Sequence, residues 1–360
     1  MPAPLALSIV VPTHNSALTL AEVLTAILAT DLPRECFELI VVDDVSADAS
    51  PTIAARYADT VVRLNGVRCG AGYSRNRGVE LARGEVVAFV DADVLLAPDT
   101  LSRMLSTLHC DPSLDAVSAT HGESPGVRGF VSRYWNLLLQ FGEQHHREGR
   151  AHFTSACGAV RRSVFLSSGM YDEWRFATGC LDGVELGQRL HATGHRMALR
   201  NDLTISRLKQ WNVRSVLTEV WRRSEFLARS LGYQRTRAEA PGEVVFTLSD
   251  ALIPALAILC VVAVSAAFVT PPIWWAKVAI VVGIVVLTNL RVHRFFARAR
   301  GAGFAIAAAP LHLLAQVVSI VGLCAGWVLR DAVGDRVPDA KTQAYSEVGL
   351  EMWPPVPRRP

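Results

Sequence analysis

EVVAFVDAD, residues 85–93, is a run of apolar residues that ends on two carboxylates, Asp91 and Asp93. Its continuous apolar character predicts a strand buried on both faces. Residues i and i+2 at a strand end project to the same side, so both carboxylates would face one crevice. There they could hold a divalent cation against a diphosphate; acidic residues also cap turns, so the pair alone leaves both readings open. Upstream, LSIVVPT (7–13), FELIVVDD (37–44) and TVVRL (60–64) read as three more buried strands. Helical segments separate them, from Ser16 to about Thr30, over 49–58 and over 70–84. Alternation of this kind predicts an α/β, Rossmann-like, mostly parallel sheet that binds ligand at the carboxyl ends of its strands. The polar residues at those ends are Thr13, Asp43, Asp44, Asp91 and Asp93.

Several function classes drop out. A dinucleotide fingerprint needs glycines in the first strand-to-helix turn, which here is Pro12-Thr13-His14-Asn15, and no P-loop is present. Seven scattered cysteines without a CxxC pair offer no sequence-local zinc or redox motif. A net charge of +3 spread over 360 residues argues against a nucleic-acid partner. Half of the chain is apolar (51%) and only 19% is charged, and the charge deficit is concentrated near the C-terminus.

No charged residue occurs from Ala251 to Ala276 or from Val278 to Leu290, and Phe304–Leu329 is charge-free as well. These runs predict a C-terminal α-helical membrane domain (249–330) with three spans, at about 249–270, 273–290 and 304–329. Pro271 and Pro272 break the first two apart; Trp274 and Trp275 would sit at the outer interface. Arg291, Arg294, Arg298 and Arg300 follow the second span, and Arg235 and Arg237 precede the first. The positive-inside rule then predicts a multi-pass protein of the plasma (inner) membrane with residues 1–248 in the cytosol. The N-terminus shows no signal-peptide pattern, in keeping with that side. Three spans would leave a flexible, Pro-rich tail, 331–360, outside. Between them, 211–248 contains an amphipathic helix with Val213, Val216, Leu217, Val220, Leu227 and Leu231 on one face. It reads either as an interfacial helix on anionic headgroups or as a core-packing helix. His312, a polar residue within the third run, could meet a lipid acceptor or a neighbouring helix.

With its neighbours, the Asp91/Asp93 motif becomes specific. SIVVPTHN, VVDDVSAD, GAGYSRNRGVELARGEVVAFVDADVLL, TSACGAVRRSVFLSSGMYDEW and VELGQRL, in this order, resemble the family 2 glycosyltransferases of the GT-A fold. The likeness covers roughly residues 6–210, and DLTISRLKQWNVRS and FFARARGAGFAIAAAPLHLL look like the membrane-attached members. The resemblance implies a cytosolic GT-A domain at 1–210 and inverting transfer from a UDP- or GDP-sugar. By position, Thr13 and Asp44 would contact the base and ribose, with Pro12, Asn15 and Asp43 beside them. Arg75 would lie near the ribose or diphosphate, Asp91 near the ribose and sugar, and Asp93 on Mg²⁺ or Mn²⁺. A cation there would neutralise the departing nucleoside diphosphate.

The general base departs from the family pattern. In Leu181-Asp182-Gly183-Val184-Glu185-Leu186, Gly183 stands where the base is expected and Asp182 comes one place early. Asp182 reads as the base or as the N-cap of a helix over 183–193, and Glu185 as a second candidate base or as N3 of that capping box. A displaced base tilts the acceptor toward a polyprenyl phosphate, whose oxygen is already anionic, although a one-residue shift in the loop would restore Asp182. A lipid-linked sugar or a hydroxylated lipid are the other acceptors. A processive synthase is disfavoured, because no QxxRW motif is present. The competing class is a non-catalytic membrane scaffold that keeps the fold and has lost the base.

Overall fold

The computed structural model describes residues 5–123, 126–144, 153–173, 181–236, 287–333 and 350–353. The chain forms two compact units: 1–128, 143–210 and 336–360 make the first, and 129–142 with 211–335 make the second.

In the first unit the four expected strands are β1 (Leu7–Thr13), β2 (Phe37–Asp44), β3 (Thr60–Leu64) and β4 (Val86–Val90). They pair in parallel in the order β4-β1-β2-β3. Pro12 is tolerated in this central strand because the β1–β4 ladder stops at Val10, two residues before it. Later strands extend the sheet: β5 (Val94–Leu95), β6 (Ala116–His121), β7 (Cys157–Arg161), β8 (Met197–Arg207) and β9 (Leu350–Trp353). The complete order is β5-β8-β6-β7-β4-β1-β2-β3-β9. β7 runs antiparallel to both β4 and β6, and β8 runs parallel to β6. β6 and β8 therefore point the same way as β1, β2 and β4, and all five carboxyl ends lie along one edge.

Strand residues alternate between two apolar layers. Ile9, Val11, Leu39, Val41, Ala88 and Val90 meet α1 (Leu20–Leu28) and α4 (Thr100–Cys110) through Leu24, Ile27, Met104 and Leu108. Val10, Ile40, Val42, Val87 and Phe89 meet α3 (Ala71–Leu81), α6 (Arg162–Ser167) and α7 (Asp182–Ala192) through Val79, Phe165, Leu186 and Leu190. A short α2 (Ser50–Ala54) follows β2. This two-sided burial is why these strands read as unbroken apolar runs.

The second unit contains residues 130–142 of α5 (Phe130–Gln144), α8 (Val213–Thr236), α9 (Leu290–Arg300) and α10 (Ala302–Val333). α10 is the third predicted apolar segment, and Pro310 lies inside it without ending it. Its buried positions Ala305, Ala308, Leu311, His312 and Ala315 recur at three- and four-residue intervals, while Ile306, Leu314, Val321 and Val328 are exposed on another face. α8 packs along α10: Ser224 and Ser319 hydroxyls are 2.7 Å apart, and a Cβ on Gly326 would lie 2.2 Å from the Glu225 carbonyl oxygen. The amphipathic segment is thus a packing helix against α10, with Val216 buried but Val213 exposed. His312 is also a packing residue. Tyr134 donates to its Nδ1 (3.0 Å) and its Nε2 donates to Asn289 Oδ1 (3.1 Å).

One membrane expectation changes. Among the described residues one helical stretch, Ala302–Leu329, is long and apolar enough to cross a membrane, so a multi-pass protein is not supported. The hairpin 249–270 and 273–290, with Trp274 and Trp275, lies outside the described residues except for 287–290. Of the expected tail, 334–349 and 354–360 lie outside the described residues, and Leu350–Trp353 pairs antiparallel with β3. Replacement of Gly326 by Val should push α8 off α10 and cost about 1–3 kcal/mol. The measurement is the thermal unfolding midpoint in detergent, with Gly303→Ala, which meets nothing within 4 Å, as the neutral control.

Candidate active site

Strand ends along the shared edge supply the site. β4 ends at Val90, and Asp91–Asp93 form a turn in which the Val94 N–H donates to the Asp91 carbonyl (3.0 Å). Asp91 and Asp93 do converge, but through this turn and not through the pleat of a strand. Arg75, on α3, bridges two acids: its Nη2 donates to Asp91 Oδ1 (2.6 Å) and its Nη1 to Asp182 Oδ2 (2.5 Å). Arg207, the last residue of β8, bridges Asp91 to Asp93. Its Nη2 is 3.1 Å from Asp91 Oδ2 and its Nη1 is 3.1 and 3.2 Å from the Asp93 oxygens.

A further pair stands behind Arg207. Arg207 Nε donates to His121 Nε2 (3.1 Å), which leaves the imidazole proton on Nδ1 to donate to Glu143 Oε1 (2.7 Å). Glu143 also accepts the His121 backbone N–H (2.8 Å). Tyr171 lies under Arg75, with the guanidinium 5.4 Å from its ring centre, and Asn76 fastens that segment to α3 through the Tyr171 N–H and C=O.

Burial and pairing push the carboxylates apart electrostatically. At Asp91 burial alone would raise the pKa, but Arg75 and Arg207 outweigh it and hold the group below the usual range. At Asp182 burial prevails over Arg75, Asp91 adds repulsion, and the pKa is raised. A pair displaced in opposite directions is how one site keeps one carboxylate as a permanent anion and another as a proton acceptor.

The remaining predicted residues divide. Thr13 is buried at the end of β1, its Oγ1 without a hydrogen-bond partner among the described residues. Asp43 is fully buried and braces the turn after β2 through the Ser46 N–H (3.2 Å), burial raising its pKa. Asp44 accepts the N–H groups of Cys69 (2.8 Å) and Gly70 (2.7 Å) and so fixes the loop that starts α3. Asn15 ties the first turn to the second, from its N–H to Ser46 Oγ (2.9 Å) and from the Ala47 N–H to its Oδ1 (2.8 Å). Pro12 is a buried strand residue.

Glu185 is not brought to the cluster: it pairs with Arg189 one helical turn on (2.7 Å), and Arg189 is anchored on the Met170 carbonyl. Asp182 is the first helical residue rather than the N-cap, which is Leu181 in a left-handed conformation (φ 63°). The capping box therefore does not form. Gly183 explains the displaced acid: a Cβ there would lie 2.4 Å from Ser155 Oγ and 2.6 Å from the Phe153 carbonyl oxygen. No acidic side chain fits at 183, and the carboxylate enters from 182.

Arg207, His121 and Glu143 were not singled out in the sequence. The rule that found Asp91 applies to the first two, since each ends a strand. Their strands, β6 and β8, lie beyond the four that alternate with helices in the N-terminal sequence. Gly183→Ala should destabilise the domain by about 1–3 kcal/mol by overpacking the 153–155 backbone, read as a lowered unfolding midpoint.

Residues 8–168 match the family described as Glycosyl transferase family 2. Succinoglycan biosynthesis protein ExoO of Rhizobium meliloti is 40% identical over 98 residues, 27% of this chain and 28% of that protein. Glucosyl-dolichyl phosphate glucuronosyltransferase of Haloferax volcanii is 31% identical over 153 residues, 38% of this chain and 47% of that protein. The chain thus spans less than half the length of these curated relatives. Among solved structures, mannosyltransferase PcManGT from Pyrobaculum calidifontis, in complex with GDP-Man and Mn²⁺, superposes with a TM-score of 0.60 at 23% identity, covering 86% of this chain and 87% of that one. That likeness is one of fold. The matched sequence and the shared curled α/β sheet make residues 8–168 a family 2 glycosyltransferase domain built on the GT-A fold.

Proposed function

We propose that the protein is an inverting glycosyltransferase that moves a sugar from a nucleotide-sugar to a hydroxyl of a lipid-borne acceptor. The observation that carries this reading is the convergence of Asp91, Asp93 and Asp182 at the carboxyl edge of the sheet, with Asp182 raised and Asp91 lowered in pKa. The site supplies hard oxygen ligands for Mg²⁺ or Mn²⁺ in Asp91 and Asp93. No cluster of three acidic, histidine or cysteine ligands exists among the described residues, so donor phosphate oxygens would complete the set. A cation bound there stabilises the charge that develops on the leaving diphosphate.

The chain's own groups divide the remaining work. Asp182 accepts the acceptor hydroxyl proton as the oxygen bonds to the anomeric carbon, while the bond to the diphosphate breaks and its electron pair leaves with the nucleotide. Each Asp182 oxygen spends one acceptor site, on Arg75 or on the Gly183 N–H (2.8 Å), and keeps another. Arg75 holds Asp91 and Asp182 in fixed relation. Asp44 sets the loop beside the nucleoside side of the edge, with Thr13, Asn15 and Pro12 lining it. Because Gly183 accounts sterically for the shift, the displaced acid no longer points to a phosphate acceptor.

Support for the lipid acceptor is twofold. One relative carries a dolichyl phosphate glycolipid in its name, and α10 keeps an exposed apolar face. We infer that α10 lies in or on the bilayer with α8 beside it, since Arg214, Glu219, Arg222 and Arg223 suit α8 to headgroups rather than to a bilayer core.

Membranes containing the protein, Mn²⁺ and a panel of labelled UDP- and GDP-sugars should yield lipid-extractable label from one donor, either acid-stable or released by mild acid as part of an oligosaccharide. Label released by mild acid as the free monosaccharide would replace the hydroxyl acceptor by a phosphate, and absence of lipid label from every donor would overturn the reading. Asp182→Asn should lower kcat by about 10²–10⁴-fold. In the parent enzyme kcat/KM should fall as pH drops, because protonation removes the base, with an apparent pKa above the ordinary aspartate value of 3.8. Asp93→Asn or chelation of the metal should cost about 10²–10³-fold in kcat.

A further inference from the structure

Arg207 stands where a cation bound to these carboxylates would have to be. One of its nitrogens is 3.1 and 3.2 Å from both oxygens of Asp93, and the other is 3.1 Å from Asp91 Oδ2. A divalent ion shared by Asp91 and Asp93 would approach the same oxygens to about 2.0–2.6 Å. The two positive groups would then be neighbours in a site where the Arg207 side chain is only 20% exposed, and repulsion at short range in such surroundings is strong. The same oxygens therefore serve either the guanidinium or the ion.

Arg207 cannot simply be expelled. Leaving a largely desolvated guanidinium without an anion is costly, so its release is favoured by a replacement acceptor. The diphosphate of a nucleotide-sugar is such an acceptor, and it arrives at the same edge of the sheet. His121, fixed by Glu143 at 2.7 Å, accepts from the Nε near the stem of the side chain and provides the pivot.

We propose that Arg207 is an exchangeable counter-cation: it pairs with Asp91 and Asp93 until donor and metal arrive together, then gives up the carboxylates to the metal and takes the diphosphate. This rests on the glycosyl-transfer reading and adds a coupling between the two ligands. Metal binding is opposed by Arg207 while the nucleotide is absent, and nucleotide binding is aided by Arg207 once the metal is present. Arg207 would then be a donor-binding residue, supplied by the end of β8, that no strand-end carboxylate motif reveals.

The experiment titrates Mn²⁺ into the full chain in detergent, alone and with UDP or GDP, following bound Mn²⁺ by electron paramagnetic resonance. Arg207→Met should bind Mn²⁺ alone about tenfold more tightly than the parent, the size expected for removal of one adjacent charge. It should bind Mn²⁺–UDP or Mn²⁺–GDP about tenfold less tightly. Arg207→Lys keeps the charge but not the fork that spans two carboxylates, and it should fall between on both measures. It carries the test if the methionine variant does not fold. Parent-like affinities for Mn²⁺ alone in both variants, with Mn²⁺–nucleotide binding intact in the parent, overturn the exchange and leave the proposed function standing. A folded parent that binds no Mn²⁺ even with UDP or GDP removes the metal reading of Asp91 and Asp93, and the exchange with it.

Discussion

Three aspartates meet at one edge of the sheet, and two arginines, Arg75 buried and Arg207 partly so, hold them there. Asp182, Asp91 and Asp93 would repel one another in surroundings of low polarity, and at least one would protonate or turn away. Arg75 between the first two and Arg207 between the last two convert that repulsion into an alternating row of charges. Each arginine is itself kept in place. Arg75 lies over Tyr171, which packs on Phe89 with ring centres 5.3 Å apart, and Arg207 leans on His121. With Glu143 included, the six side chains carry net negative charge, which suits them to a cation. A buried ionic row of this kind contributes little net stability, because desolvation opposes the attraction. Its effect is to hold fixed geometry at a surface open to ligand.

Steric constraint at one residue decides where an acidic side chain can stand. The 153–155 backbone passes so close to position 183 that only glycine is accommodated. The carboxylate consequently arises from the preceding residue, at the first position of α7, and reaches Arg75. The displacement of the acid by one residue therefore has a steric cause. Glu185, one turn further, is spent on Arg189 and on anchoring α7 to the segment after α6.

The second unit carries polar groups within an apolar helix. Tyr134, His312, Asn289 and Gln316 hydrogen-bond to one another, and Gln316 donates to Asn289 Oδ1 at 2.6 Å. Small residues at Ser319, Gly322 and Gly326 bring α8 close enough for backbone contact. The charged residues of α8 make the pair amphipathic as a whole, with the apolar surface contributed by α10.

Much of this was legible in the chain. Buried strands such as LSIVVPT and FELIVVDD announce themselves, because a parallel sheet covered on both faces requires apolar side chains at every position. The Asp91/Asp93 pair could be found for the same reason, as the first polar residues after such a run. The expectations that failed are those that depended on what lies opposite. A capping box cannot be told from a helix started by a left-handed Leu181, nor a free carboxylate from one held by Arg189, until the partners are in place. Arg207 and His121 lie more than 80 residues apart and meet only because β6 and β8 run side by side in the same direction. Composition and periodicity are properties of the chain and settled the strands. Which charge faces which is a property of long-range pairing, and only the tertiary structure decided it.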